Sequence, residues 1–138
     1  MRRIFTKKDS ERREAKDGHP RSVHIMVEPA TAGSAHLAMG LEAVDPGSQI
    51  PVHVHAEAEE ILFVYRGRGR ARVGEREVEV GPETAIFVPK GTPHGFVNTS
   101  GGHVHLTWTF APPGEHEKFR REDHWKHAAR AEAPKRDD

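Results

Sequence analysis

From Ser22 to Phe110 the chain is cut into short runs of alternating apolar and polar residues. Gly and Pro punctuate the runs, and no stretch holds the 3.6-residue period of a helix. Val23, Ile25 and Val27 alternate with His24 and Met26, and Leu37, Met39 and Leu41 fall together on one face of a second run. Asp45-Pro46-Gly47 is a turn. Further runs follow at Ile50 to His55, Glu60 to Tyr65, Gly69 to Val73, Arg76 to Val80, Thr84 to Val88, Gly95 to Val97 and His103 to Phe110. Gly74-Glu75-Arg76 reads as one hairpin turn and Asn98 to Gly102 as another. Many short strands with close turns and no intervening helices predict an all-β antiparallel sandwich or barrel.

The flanks differ in composition. Residues 1–21 and 115–138 are dense in Arg, Lys, Glu and Asp, while 22–114 holds nearly all the β-branched and aliphatic residues. This divides the chain into a charged N-terminal arm, a barrel over 22–114 and a charged C-terminal tail. Lys7 to Lys16 reads as a short exposed helix or a solvated arm. Glu115 to Arg130 reads as a terminal helix carrying Phe119 and Trp125, with a frayed end through Asp138.

Eleven histidines in 138 residues are unusual, and their placement is informative. His53 and His55 lie two apart on a predicted strand, so both point to one face. Glu60 opens the next strand, where a hairpin sets it opposite the two imidazoles. Far along the chain, His94 stands where the turn Pro89-Lys90-Gly91-Thr92-Pro93 feeds a strand. Three imidazoles and a carboxylate occupy four positions of an octahedral divalent ion, leaving two for water or substrate.

The stretch Gly47 to Gly67 resembles the first motif of the cupins, G-x5-H-x-H-x3,4-E-x6-G, at each fixed position. Pro89 to Asn98 resembles the later part of the second, P-x-G-x2-H-x3-N. In one place the chain departs from the pattern: Glu83 stands where the second motif opens on Gly, and the nearest glycine is Gly81. The resemblance covers roughly residues 22–114. It implies a double-stranded β-helix, the jelly-roll barrel of that family, with His53, His55, Glu60 and His94 as metal ligands. Glu59 competes with Glu60 for the carboxylate, but only Glu60 keeps the six-residue spacing to Gly67.

The function this implies is metal-dependent chemistry on a small organic molecule, of dioxygenase, lyase or isomerase type. The alternative is a non-catalytic small-molecule-binding or sensing cupin. Mn, Fe, Ni, Cu and Zn all suit three imidazoles and a carboxylate. Leu62, Val64, Ile86, Phe96, Leu106 and Trp108 are the expected lining of the barrel mouth. His36 is the first candidate for a further ligand. His103 and His105 oppose Val104, Leu106, Trp108 and Phe110 on their strand and should face outward. His19, His116, His124 and His127 lie in the charged termini, where solvation is expected. Arg66, Arg68, Arg70 and Arg72 read as a solvated face.

Apolar residues on both faces of Glu60 to Tyr65 call for cover on both sides, and the resemblance implies a homodimer. Lys+Arg and Asp+Glu both number 21, a balance that disfavours nucleic acid and anionic membranes as partners. There is no cysteine, no membrane-length apolar run and no apolar core behind the basic N-terminus, so a cytoplasmic location is expected.

Overall fold

A computed structural model describes residues 2–128. The chain forms β1 (Glu11–Ala15), β2 (Arg21–Val27), a single helical turn α1 (Pro29–Ala32), β3 (Ala38–Val44), β4 (Gln49–His53) and β5 (Glu59–Arg66). It continues through β6 (Gly69–Val73), β7 (Arg76–Val80), β8 (Thr84–Val88), β9 (His94–Asn98), β10 (Val104–Ala111) and β11 (Trp125–Ala128), with 3-10 turns at Lys7–Asp9 and Glu115–Arg120. A seven-stranded sheet runs β11-β1-β2-β3-β10-β5-β8, and a four-stranded sheet runs β4-β9-β6-β7. Every pairing is antiparallel. The result is the jelly roll that the resemblance implies, within the antiparallel all-β class that the strand pattern predicts.

Alternation along β10 builds the floor of the core. Val104, Leu106, Trp108 and Phe110 are fully buried, while His103 is exposed and His105 half-buried on the other face. Val64, Ile86 and Val23 join them from the large sheet, and Ile50, Ala71 and Phe96 come from the small one.

Strand β3 buries the face opposite Leu37, Met39 and Leu41. Its buried positions are Ala38, Gly40, Glu42 and Val44, whereas Met39 and Leu41 are only half-buried and Leu37 is exposed. The cause is Trp108, which lies directly across from Gly40 in the register. A Cβ at Gly40 would overlap the indole ring and the His24 carbonyl. The indole fills the volume that small residues leave, so the bulkier face turns away and Glu42 is carried inward.

The charged flanks also contribute to the fold. The region expected to be a helix or a solvated arm is a 3-10 turn followed by β1, which pairs with β2 on one side and β11 on the other. The expected C-terminal helix is only the six-residue 3-10 turn, after which Trp125–Ala128 is a strand. Glu-Arg-Arg-Glu has no apolar alternation, so β1 is set by its partners. Arg13 pairs with Glu11 (2.8 Å), and Arg120 reaches both Glu11 (2.9 Å) and the buried Glu28 (2.6 Å). His116, expected in solvent, is buried with Nε2 2.9 Å from Glu28 Oε1. The frayed end expected through Asp138 lies outside the described residues.

Candidate metal centre

Strand β4 ends at His53, two residues short of the expected run, because Pro51 cannot donate to a ladder and the β4–β9 pairing shifts register there. Past that irregularity His53 sits directly across from His94, the first residue of β9. His55 follows in the loop, where its carbonyl accepts a hydrogen bond from Gly91 N–H at 2.8 Å, tying the two histidine stretches together. Glu60 faces inward from β5, opposite Phe110 of β10 and Val88 of β8. Glu59, one residue earlier, falls on the exposed face.

The donor atoms of His53, His55, Glu60 and His94 all lie within 4.8 Å of one another. The imidazole centroids are 4.2 Å apart for His53 and His94, 4.7 Å for His53 and His55, and 4.8 Å for His55 and His94. Each ring is anchored through Nδ1. His53 Nδ1–H donates to the Pro51 carbonyl (2.7 Å) and His94 Nδ1–H to the Thr92 carbonyl (2.9 Å), while His55 Nδ1 faces Glu115 Oε2 (3.3 Å). These partners assign the tautomer and turn Nε2 inward, which is how protein side chains prepare imidazoles for a metal.

His94 makes the electrostatics specific. A carbonyl only accepts, so the Nδ1 of His94 carries the proton and its Nε2 presents a lone pair. That lone pair points at Glu60 Oε1, another acceptor, 3.0 Å away. His55 is held between two carboxylates, with Nε2 3.2 Å from Glu60 Oε1. Such a convergence is satisfied by a shared proton or by a cation, and three imidazole nitrogens with one carboxylate suit a divalent transition metal. Burial, reinforced by nearby Lys118 and His94, pushes the His53 imidazole down to about 3, so it stays neutral and available.

The cluster opens into a cavity of about 410 Å³. Of the expected lining residues, Leu62 is on its wall. Val64, Ile86, Phe96, Leu106 and Trp108 point inward but are packed into the core behind it. His36 is exposed and stands apart from the cluster. His24 is buried and satisfied by Ser10 Oγ at 2.8 Å. Glu28, His116 and Glu117 also converge, but Arg120 already supplies that group with a cation.

The sequence reading missed the other half of the cavity wall. Glu42 from β3, Arg21 from β2, and Lys118, Phe119 and Trp125 from the C-terminal segment all line it. Glu42 lies 3.5 Å from Arg21 Nε, yet burial dominates and raises its carboxyl to about 7. Arg21 offers little compensation because its terminal nitrogens are engaged by Asp17 (2.9 and 3.0 Å). The signal for Glu42 was its alternation with Ala38, Gly40 and Val44. Lys118 carried none, since its position depends on a turn that tertiary contacts set.

The sequence pattern of the cupin domain matches residues 40–110, just over half of the chain. No curated protein sequence matches. Among solved structures, a predicted oxalate decarboxylase from Thermotoga maritima superposes with a TM-score of 0.71 at 14% identity, over 80% of this chain and 99% of that one. The polyketide cyclase RemF from Streptomyces resistomycificus gives 0.67 at 23% identity, over 96% of this chain and 88% of that one. A protein from Thermus thermophilus is 35% identical over 57% of this chain and 75% of its own length, with a TM-score of 0.54.

Proposed function

The chain belongs to the cupin domain family, and we propose that it is a metal-dependent enzyme of that family acting on a small organic molecule. His53, His55, Glu60 and His94 would hold one divalent ion, Mn, Fe, Ni, Cu or Zn, and the chemistry would be of dioxygenase, lyase or isomerase type. The carrying observation is the convergence of three imidazoles and the Glu60 carboxylate, whose donor atoms all lie within 4.8 Å of one another, with the Nδ1 of His94 committed to a carbonyl. When bound, the ion supplies Lewis acidity or an oxygen-binding centre. The protein's own part is to hold three imidazoles in one tautomer, keep His53 neutral and enclose a small molecule beside them. Similar structures named for enzymes support the enzyme class; at 14 and 23% identity they carry no particular reaction.

Elemental analysis of untagged protein tests the centre. About one equivalent of a transition metal is expected, and His94→Ala should lower affinity by more than about 100-fold. Full metal content in His94→Ala would remove the four-residue site. Iron would direct the search to oxygen-consumption assays, manganese or zinc to lyase and isomerase assays. A loaded centre that turns over nothing leaves the small-molecule-binding or sensing alternative.

The proposal includes a homodimer in the cytoplasm. Ile61 (47% exposed), Phe63 (38%), Tyr65 (40%) and Phe87 (54%) form an apolar face on β5 and β8, with Ile61 and Phe87 paired across the two strands. A second copy would cover it, and sedimentation of Phe63→Glu beside the parent chain reads this directly. Among the described residues no helix is long and apolar enough to cross a membrane.

A further inference from the structure

The cavity beside the imidazoles also takes a lysine. Lys118 enters it from the 3-10 turn Glu115–Arg120, outside the stretch that matches the family pattern. Its Nζ lies 5.5 Å from the Phe110 ring centroid and 5.2 Å from that of Phe119. Among the described residues no carboxylate pairs with it, although three carry charge towards it. Each of the three is otherwise engaged. Glu60 is held by His55 and His94, Glu115 by His55, and burial suppresses the charge of Glu42.

The other cations on the wall have counter-ions of their own, Arg21 with Asp17 at 2.9 Å and Arg121 with Asp123 at 3.1 Å. Lys118 thus places its amine over two aromatic faces, half-buried at a cavity wall, and burial lowers its pKa from the usual lysine range. A desolvated charge in that state is costly unless an anion joins it. A divalent ion on the four-residue cluster would carry one charge more than Glu60, its one carboxylate, supplies. The same cavity has an apolar part of its wall in Ile50, Leu62, Phe119 and Trp125.

Resting on the metal-centre reading, and deepening it, we propose that the cavity takes a small organic acid whose carboxylate is held by Lys118. Its apolar body would lie along Ile50, Leu62 and Trp125 and extend towards His53, His55, Glu60 and His94. Lys118 is then the residue that selects acids over their neutral analogues. A cavity of about 410 Å³ suits a molecule of a few to a dozen heavy atoms.

Calorimetric titration of the full chain, zinc-loaded and chelator-stripped, tests this with propionate, succinate and benzoate beside propionamide, succinamide and benzamide. At least one acid should bind at least about tenfold more tightly than its amide. Lys118→Met should abolish that preference, Lys118→Arg should retain it, and Lys126→Met, a change on the exposed outer surface, should leave it unaltered. Equal binding of acids and amides by the parent chain, or no binding of either, overturns the proposal. So does a folded Lys118→Met chain with undiminished preference, and if that variant does not fold, the parent chain and Lys118→Arg decide. Failure to take up zinc overturns the metal reading alone, because the stripped chain still reports on Lys118.

Discussion

The two ends of the cavity are built by different means. At the histidine end, four side chains come from two compact stretches, and their geometry follows from strands β4, β5 and β9 lying next to their neighbours. At the lysine end, Arg21, Glu42, Lys118 and Trp125 come from four separate elements. They are held in place by contacts such as Arg120 to Glu11 and Glu28, which span 109 and 92 residues of chain. The first end is local and modular. The second exists only if the charged termini dock, so it should be more sensitive to perturbation and more open to variation.

The largest effect that separates the ends should come from Arg120→Met. Glu28 is only 2% exposed, and removing the guanidinium takes away the cation that pairs with its buried carboxylate. A loss of about 3–4 kcal/mol is expected, read by urea unfolding. Metal content of the molecules still folded should be unchanged. Concerted loss of metal and stability would instead show that the two ends form one unit.

Glu42→Gln should come next, with a marked pH dependence. The folded carboxyl titrates near 7 and the unfolded one near 4.5. The wild-type group is therefore neutral in both states at low pH and costs nothing there. Between 4.5 and 7 the unfolded chain ionises while the folded one resists, so wild-type stability falls across that window. The variant should match wild type at pH 4 and exceed it by about 3 kcal/mol at pH 8, the equivalent of the shift. A constant difference at all pH values would contradict a protonated Glu42.

The smallest effect tests the one departure from the family's pattern. Glu83 stands where the second motif has glycine, and it adopts a left-handed backbone with φ of 66° while its N–H donates to the Val64 carbonyl. The turn has kept its shape around a residue that is strained there. Glu83→Gly should stabilise the chain by about 0.5–1 kcal/mol in thermal unfolding, with the metal centre untouched.

By itself the sequence determined the all-β architecture, the inward set of β10, and the candidate ligands His53, His55, Glu60 and His94. Each is encoded locally, by period-2 alternation, turn residues or short spacing, so neighbouring residues suffice to read it. Glu60 separates from Glu59 by its six-residue spacing to Gly67, and the structure puts Glu59 on the exposed face.

Only the tertiary structure decided which face of β3 turns inward. Alternation specifies two faces without saying which is buried; the Trp108 ring chose the one with Gly40 and so brought Glu42 to the cavity. It alone decided that Glu11–Ala15 and Trp125–Ala128 are strands, because a charged segment without period is fixed by partners distant in sequence. Lys118 belongs to this second class: its place above Phe110 and Phe119 comes from the docking of the chain's end, which no local pattern records.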